Sequence, residues 1–190
     1  MIAGILLVGL AVAFRLLSPE YHIWNLVPAG AIALYAGSRL PRRWAWTVPM
    51  AAMVLSDMLL DYGQHRPVFE LTRWTVYITL AATTLMGRIA NSPKVRPWML
   101  PGLSVFASSV FFVTTNLATW ADGQLYPLTY PGLIQCYVMA IPFFWNTLAA
   151  DLIGTSVLFS LGPVFERGAA RVWPRGAGKK ASSVDFRELA

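Results

Sequence analysis

Tyr130-Pro-Gly-Leu-Ile-Gln-Cys-Tyr-Val-Met-Ala-Ile-Pro-Phe-Phe-Trp-Asn-Thr-Leu-Ala-Ala-Asp-Leu152 decides the fold class. This stretch lies inside a run from Gly123 to Phe165 in which Asp151 is the sole charged residue. A helix rises about 1.5 Å per residue and needs about 20 residues to cross a hydrocarbon core of about 30 Å. The run is long enough for that, although Pro142 removes one backbone donor within it. Working back toward the N-terminus, Pro97–Ala121 and Trp74–Gly87 carry no charge, and Trp44–Leu60 carries only Asp57. Tyr21–Ser38 and Met1–Phe14 are again free of Lys, Arg, Asp and Glu. The pattern predicts helices near 1–17, 25–39, 44–61, 73–89, 97–119 and 134–162. The shorter ones are extended into the interface by flanking Tyr, Trp and polar residues. The expected fold is all-α, an integral membrane bundle of six transmembrane helices over residues 1–162. A basic cytoplasmic tail, partly disordered, is expected over 163–190.

The composition agrees with that class. The 190 residues are 56% hydrophobic and only 13% charged, against about 25% charged in soluble domains. The net charge is nevertheless +6. Basic residues gather in alternate connections: Arg39, Arg42 and Arg43, then Arg88, Lys94 and Arg96, then six more after the last helix. Twelve of the fifteen Lys and Arg thus fall on one side, and the positive-inside rule makes that side cytoplasmic, with both termini. Met1-Ile-Ala-Gly lacks the basic start of a signal peptide, so the first helix is expected to stay. The juxtamembrane position accounts for the basic tail, which hugs anionic headgroups, and nucleic acid is not an expected partner. Two histidines and a single cysteine exclude an internal disulfide framework and a Cys₄ or Cys₂His₂ zinc site.

Polar and aromatic residues collect at the opposite, outer end. Asp57 and Asp61 share one face of the third helix, being four residues apart. A carboxylate at that depth requires a partner, and Arg15 and Arg73 are within reach of the same surface. These pairs have two readings, a structural ion pair at the interface or part of a ligand site. The same choice attends the aromatics, which form either an interfacial belt or the wall of a polar-aromatic cup. The candidate ligand-binding set is Trp24, Asn25, Asp57, Asp61, Tyr62, His65, Arg73, Trp74, Asn116 and Trp120. Asp151 is expected to act as a cap or ion-pair member inside the bundle, nearer the cytoplasmic side. Gly9 and Ala13 in the first helix, and Ala29, Ala33 and Gly37 in the second, give smooth faces for close helix packing. No nucleophile, metal cluster or phosphate loop accompanies the acids, so an enzyme is not expected.

Asn25-Leu-Val-Pro-Ala-Gly-Ala-Ile-Ala-Leu-Tyr-Ala-Gly37, Leu55-Ser-Asp57, Thr115-Asn116-Leu-Ala-Thr-Trp120 and the opening stretch resemble a family of small six-helix bacterial membrane proteins. That family is similar to the substrate-binding S components of energy-coupling factor (ECF) vitamin transporters. The resemblance covers roughly residues 10–160. It implies a protein of the bacterial inner membrane that takes up a small vitamin-like solute at its outer face, with ECF-type coupling subunits as partners. Gly9 and Ala13 would be the matching positions for the helix that meets a coupling subunit. Some S components act alone and carry cobalamin, with an outer-loop side chain on the cobalt; His65 or His22 would supply that imidazole. No cofactor is otherwise implied. The alternative function is a structural or assembly subunit of a larger membrane complex, with no solute of its own.

Overall fold

A computed structural model describes residues 2–20, 26–62 and 71–172, with side chains described over 5–17, 26–62 and 71–164. Six α-helices and no strand occur among these residues: α1 Ile2–Glu20, α2 Ala29–Arg39, α3 Arg42–Asp61, α4 Leu71–Ala90, α5 Leu100–Ala121 and α6 Tyr130–Val172. A single 3-10 turn, Pro97–Met99, leads into α5. Each helix meets its expected segment, and two boundaries differ in an informative way.

The first is the start of α2. Residues 26–28 are not helical, and the helix begins only at Ala29, immediately after Pro28. Proline lacks the N–H that would extend the ladder and disfavours helical geometry in the residue before it. The remaining 11 residues rise about 16 Å, half of a hydrocarbon core. The second is the end of α6, which runs through Pro142 and Pro163 to Val172. Its expected limit was residue 162. Ala169, Ala170 and Arg171 are good helix formers and carry the helix beyond the proline.

The short helix occupies the centre. α2 packs against all five of the others, while neighbours α1–α3, α3–α4, α4–α5 and α5–α6 form an arc around it. Ala31 through Ser38 are all buried, so the helix exposes no stripe to the outside over two turns. Its closest approach is to α4. Gly37 lies against Thr84 and Gly87, and Gly87 against Leu34 and Gly37, with main chain meeting main chain. A Cβ at either glycine would occupy the other helix's backbone, which is why the smooth face of α2 faces inward.

The interior is small and hydroxyl-rich: Ala33, Ala36, Ala45, Ser56, Thr84 and Ser108 are buried almost completely. Ile32, Leu34, Val48 and Leu80 are buried with them, while many large apolar side chains point outward, among them Leu6, Ile78, Trp145, Ile153 and Val164, each more than 60% exposed. Among the described residues, two helices are long and apolar enough to cross a membrane, Pro97–Ala121 and Tyr130–Val164. Only 22% and 17% of their most apolar windows are buried, unlike the core helix of a soluble protein.

The two ends of the bundle differ in charge. Ser38 and Arg39 of α2, Asn91 and Val95 between α4 and α5, and Phe159 of α6 border one small cavity of about 110 Å³. The basic connections therefore share one end. At the other, ion pairs gather the end of α1, the end of α3 and the start of α4.

Candidate functional site

The spacing of residues along α3 and α4 builds the site from the outer end inward. Asp61, Asp57 and Met53 recur every fourth residue on α3 and share a face. Arg73, Tyr77 and Leu80, four and then three residues apart, share a face of α4. These faces meet in successive layers.

In the outermost layer, Arg73 Nη1 and Nη2 donate to Asp61 Oδ2 and Oδ1 at 2.6 and 3.1 Å, a two-pronged pairing that fixes orientation as well as charge. One turn deeper, Arg15 Nη2 from α1 donates to Asp57 Oδ1 at 2.6 Å, and Tyr77 Oη donates to Asp57 Oδ2 at 2.6 Å. Asp57 thus ties three helices together while only 8% exposed. The remaining Arg15 contact is unusual, since Nη1 donates to the Met53 thioether sulfur at 2.8 Å. Thioethers are weak acceptors, and a guanidinium carries five N–H groups.

Below this layer lies a cavity of about 190 Å³. Met53, Val76, Leu80, Ala107 and Phe111 give it apolar walls, with Thr83 and Thr147 among them. Among the described residues, Arg15 lines it as the one cation; Asp151, with the first residues of α2, lines it as the one carboxylate.

The Asp151 end explains how a helix can start inside the bundle. The first N–H groups of a helix have no partner within it, and leaving them bare in an apolar interior is costly. Pro28 precedes α2 without supplying a side-chain cap. Asp151 on α6 does so from 120 residues away: Ala31 N–H donates to its Oδ1 at 3.0 Å, and Gly30 N–H is a second backbone donor. Ser108 Oγ of α5 lies 2.8 Å from Oδ2. A Cβ at Gly30 would sit 2.5 Å from the carboxylate, so only glycine lets it come this close. The negative charge also meets the positive end of the helix dipole. Asp151 is the cap that its isolation in an apolar run implied, yet it lies at the level of Ser108 in mid-helix, not near the basic end.

The expected outer cup divides. Asp57, Asp61 and Arg73 come together, and Trp74 lies beside them, its ring edge-on to Tyr77 at 6.0 Å. Arg15 and Arg73 are the partners the acids required. Asn116 does not join them, because its amide donates to the Phe112 carbonyl of its own helix at 2.8 Å; its own carbonyl oxygen accepts from the Cys136 thiol of α6. Trp120 turns to the α5–α6 connection, where its indole N–H donates to Pro127 O at 3.0 Å. Tyr62 is 93% exposed. Trp24, Asn25, His22 and His65 lie outside the described residues. Gly9 and Ala13 are on the exposed face of α1, with nothing within 4 Å of a Cβ built at Gly9. Among the described residues, no three His, Cys, Asp or Glu side chains come together as a metal site.

Sequence reasoning offered Arg15 as a partner for the acids and Asp151 as a cap or ion-pair member, placed neither in the candidate ligand set, and passed over Tyr77 and Gly30. The available signal was Pro28-Ala-Gly-Ala31 within an uncharged run, a helix start where no capping side chain is present.

These features define a class: an all-α bundle built around a half-length central helix, with a charged layer above an interior cavity. The chain belongs to a family of unknown function, DUF6580, whose profile matches residues 1–172. No curated protein and no solved structure matches it.

Proposed function

We propose that the protein is a membrane-embedded binding and uptake protein for a small solute. The carrying observation is the cavity itself, apolar-walled, with a guanidinium and a carboxylate withdrawn from bulk water. Pockets of this make-up, with few polar groups among apolar walls, are what small-molecule sites look like. Its volume of about 190 Å³ is below the roughly 300–1,000 Å³ of drug-sized sites, which favours a compact solute over a corrinoid.

The membrane setting draws support from the outward-facing Leu, Ile, Val and Trp side chains and the small, hydroxyl-bearing interior. In water such continuous apolar surface would drive association. Charges satisfied by one another, as at the buried Asp57 and the part-buried Asp61, are what a bilayer interior demands. The distribution of Lys and Arg supports an orientation with the basic end cytoplasmic; the bacterial inner membrane rests on the likeness of the sequence motifs. Uptake, and coupling to ATP-driven subunits, rest on the likeness of the sequence motifs to S components of vitamin transporters.

Native mass spectrometry of the gently purified chain tests this. One small solute per chain is expected, displaced in Ala107→Leu, which fills the cavity wall without touching either charge. No solute but a stoichiometric protein partner would overturn solute binding in favour of the assembly role, for which the exposed Gly9 and Ala13 face of α1 would be the contact.

A further inference from the structure

We propose that the cavity selects a small zwitterion: a carboxylate on Arg15, an ammonium on Asp151 and a short apolar spacer between them. This rests on the cavity being a solute site and specifies what it takes.

The argument is one of unfilled hydrogen-bonding capacity at both ends. Among the described residues, Arg15 makes two hydrogen bonds, one to Asp57 and one to the Met53 sulfur. A thioether is a poor match for a guanidinium N–H, and a ligand carboxylate replaces it with a charge-assisted bond. Asp57 does not need the whole guanidinium, because Tyr77 holds its second oxygen. At the far end, a carboxylate offers about four lone-pair sites. Gly30 N–H, Ala31 N–H and Ser108 Oγ approach Asp151, which leaves capacity facing the cavity it lines.

Electrostatics then separates the ligand classes. A neutral apolar solute would leave the spare capacity of both charges unused. A simple anion would satisfy Arg15 but bring a second negative charge toward Asp151, in surroundings where such repulsion is little screened. A simple cation would meet Asp151 but leave the Arg15 N–H on the Met53 sulfur. A solute with opposite charges at its two ends offers a hydrogen-bonding partner to both, and Met53, Leu80 and Phe111 are among the apolar residues that line the cavity with them.

The test uses three probes of matched length on the full chain in detergent: 4-aminobutanoic acid, butanoic acid and butylamine, followed by isothermal titration. The amino acid is expected to bind more tightly than either singly charged probe. Arg15→Gln combined with Asp57→Asn, which leaves no carboxylate uncompensated, should weaken it by about 10- to 100-fold, the usual worth of a hydrogen bond to a charged group, and leave butylamine unaffected. Asp151→Asn keeps the side chain's size and one acceptor for the α2 amides; it should bring the amino acid down to the level of butanoic acid. Equal binding of amino acid and butanoic acid, or unchanged binding in the variant carrying both Arg15→Gln and Asp57→Asn, overturns the proposal. If none of the probes binds while a neutral solute co-purifies and is lost in Ala107→Leu, the zwitterion is wrong and solute binding stands.

Discussion

Asp57 shows what a single carboxylate does when three helices depend on it. It accepts from Arg15 and Tyr77 while almost wholly buried. Removing one member of such a pair leaves the other charge uncompensated, at a cost of about 3–5 kcal/mol. Asp57→Ala should therefore unfold at markedly lower temperature in detergent, whereas Arg15→Gln combined with Asp57→Asn should recover most of the loss. Additive losses in the double variant would show that the residues act separately. The pairing was legible in the sequence because two acids at helical spacing in an apolar run must find cations, and few lie at that end. Asn116 was not legible in the same way. An amide can satisfy itself on the carbonyl four residues back, and that local bond competes with any site across the bundle. The depth of the cavity was hidden for a related reason: its polar ends come from α1 and α6, which no local pattern connects.

At the scale of elements, α2 is held by backbone contact along one side and by a foreign carboxylate at its start. Gly87→Val would place a side chain where the Leu34 carbonyl lies. It should cost about 1–3 kcal/mol as α4 is forced off α2, read as a lowered unfolding temperature. Asp151→Ala should free the Gly30 and Ala31 amides, costing at least the roughly 0.5–2 kcal/mol of an ordinary cap. The discriminating measurement is amide hydrogen exchange, with faster exchange expected at the start of α2 and little change in α3. Uniform acceleration throughout the bundle would mean that the carboxylate supports the fold generally and not this helix end. The six helices were readable from charge spacing, since each apolar run is bounded by Arg, Lys or a polar turn. The late start of α2 was readable only in Pro28, and its cap is a tertiary contact beyond the reach of any window.

The whole molecule has two unlike ends, a basic one around Arg39 and Asn91 and one closed by ion pairs. Asn91 and Gln124 are both exposed and fall in connections at opposite ends of α5. In a Cys136→Ala background in intact cells, Gln124→Cys should react with a membrane-impermeant maleimide, and Asn91→Cys only after the membrane is opened. Equal labelling of both would remove the transmembrane arrangement. The distance in sequence between the α2 amides and their carboxylate also bears on biosynthesis. Ala31 and Asp151 are 120 residues apart; at about 5–20 residues per second, the acid is made roughly 6–24 s after the amides it must receive. The central piece of the bundle is thus among the first to leave the ribosome and the last to be completed. A chain stopped after residue 129 should insert its earlier segments yet be cleared by quality-control proteases, and supplying α6 as a separate polypeptide should rescue it.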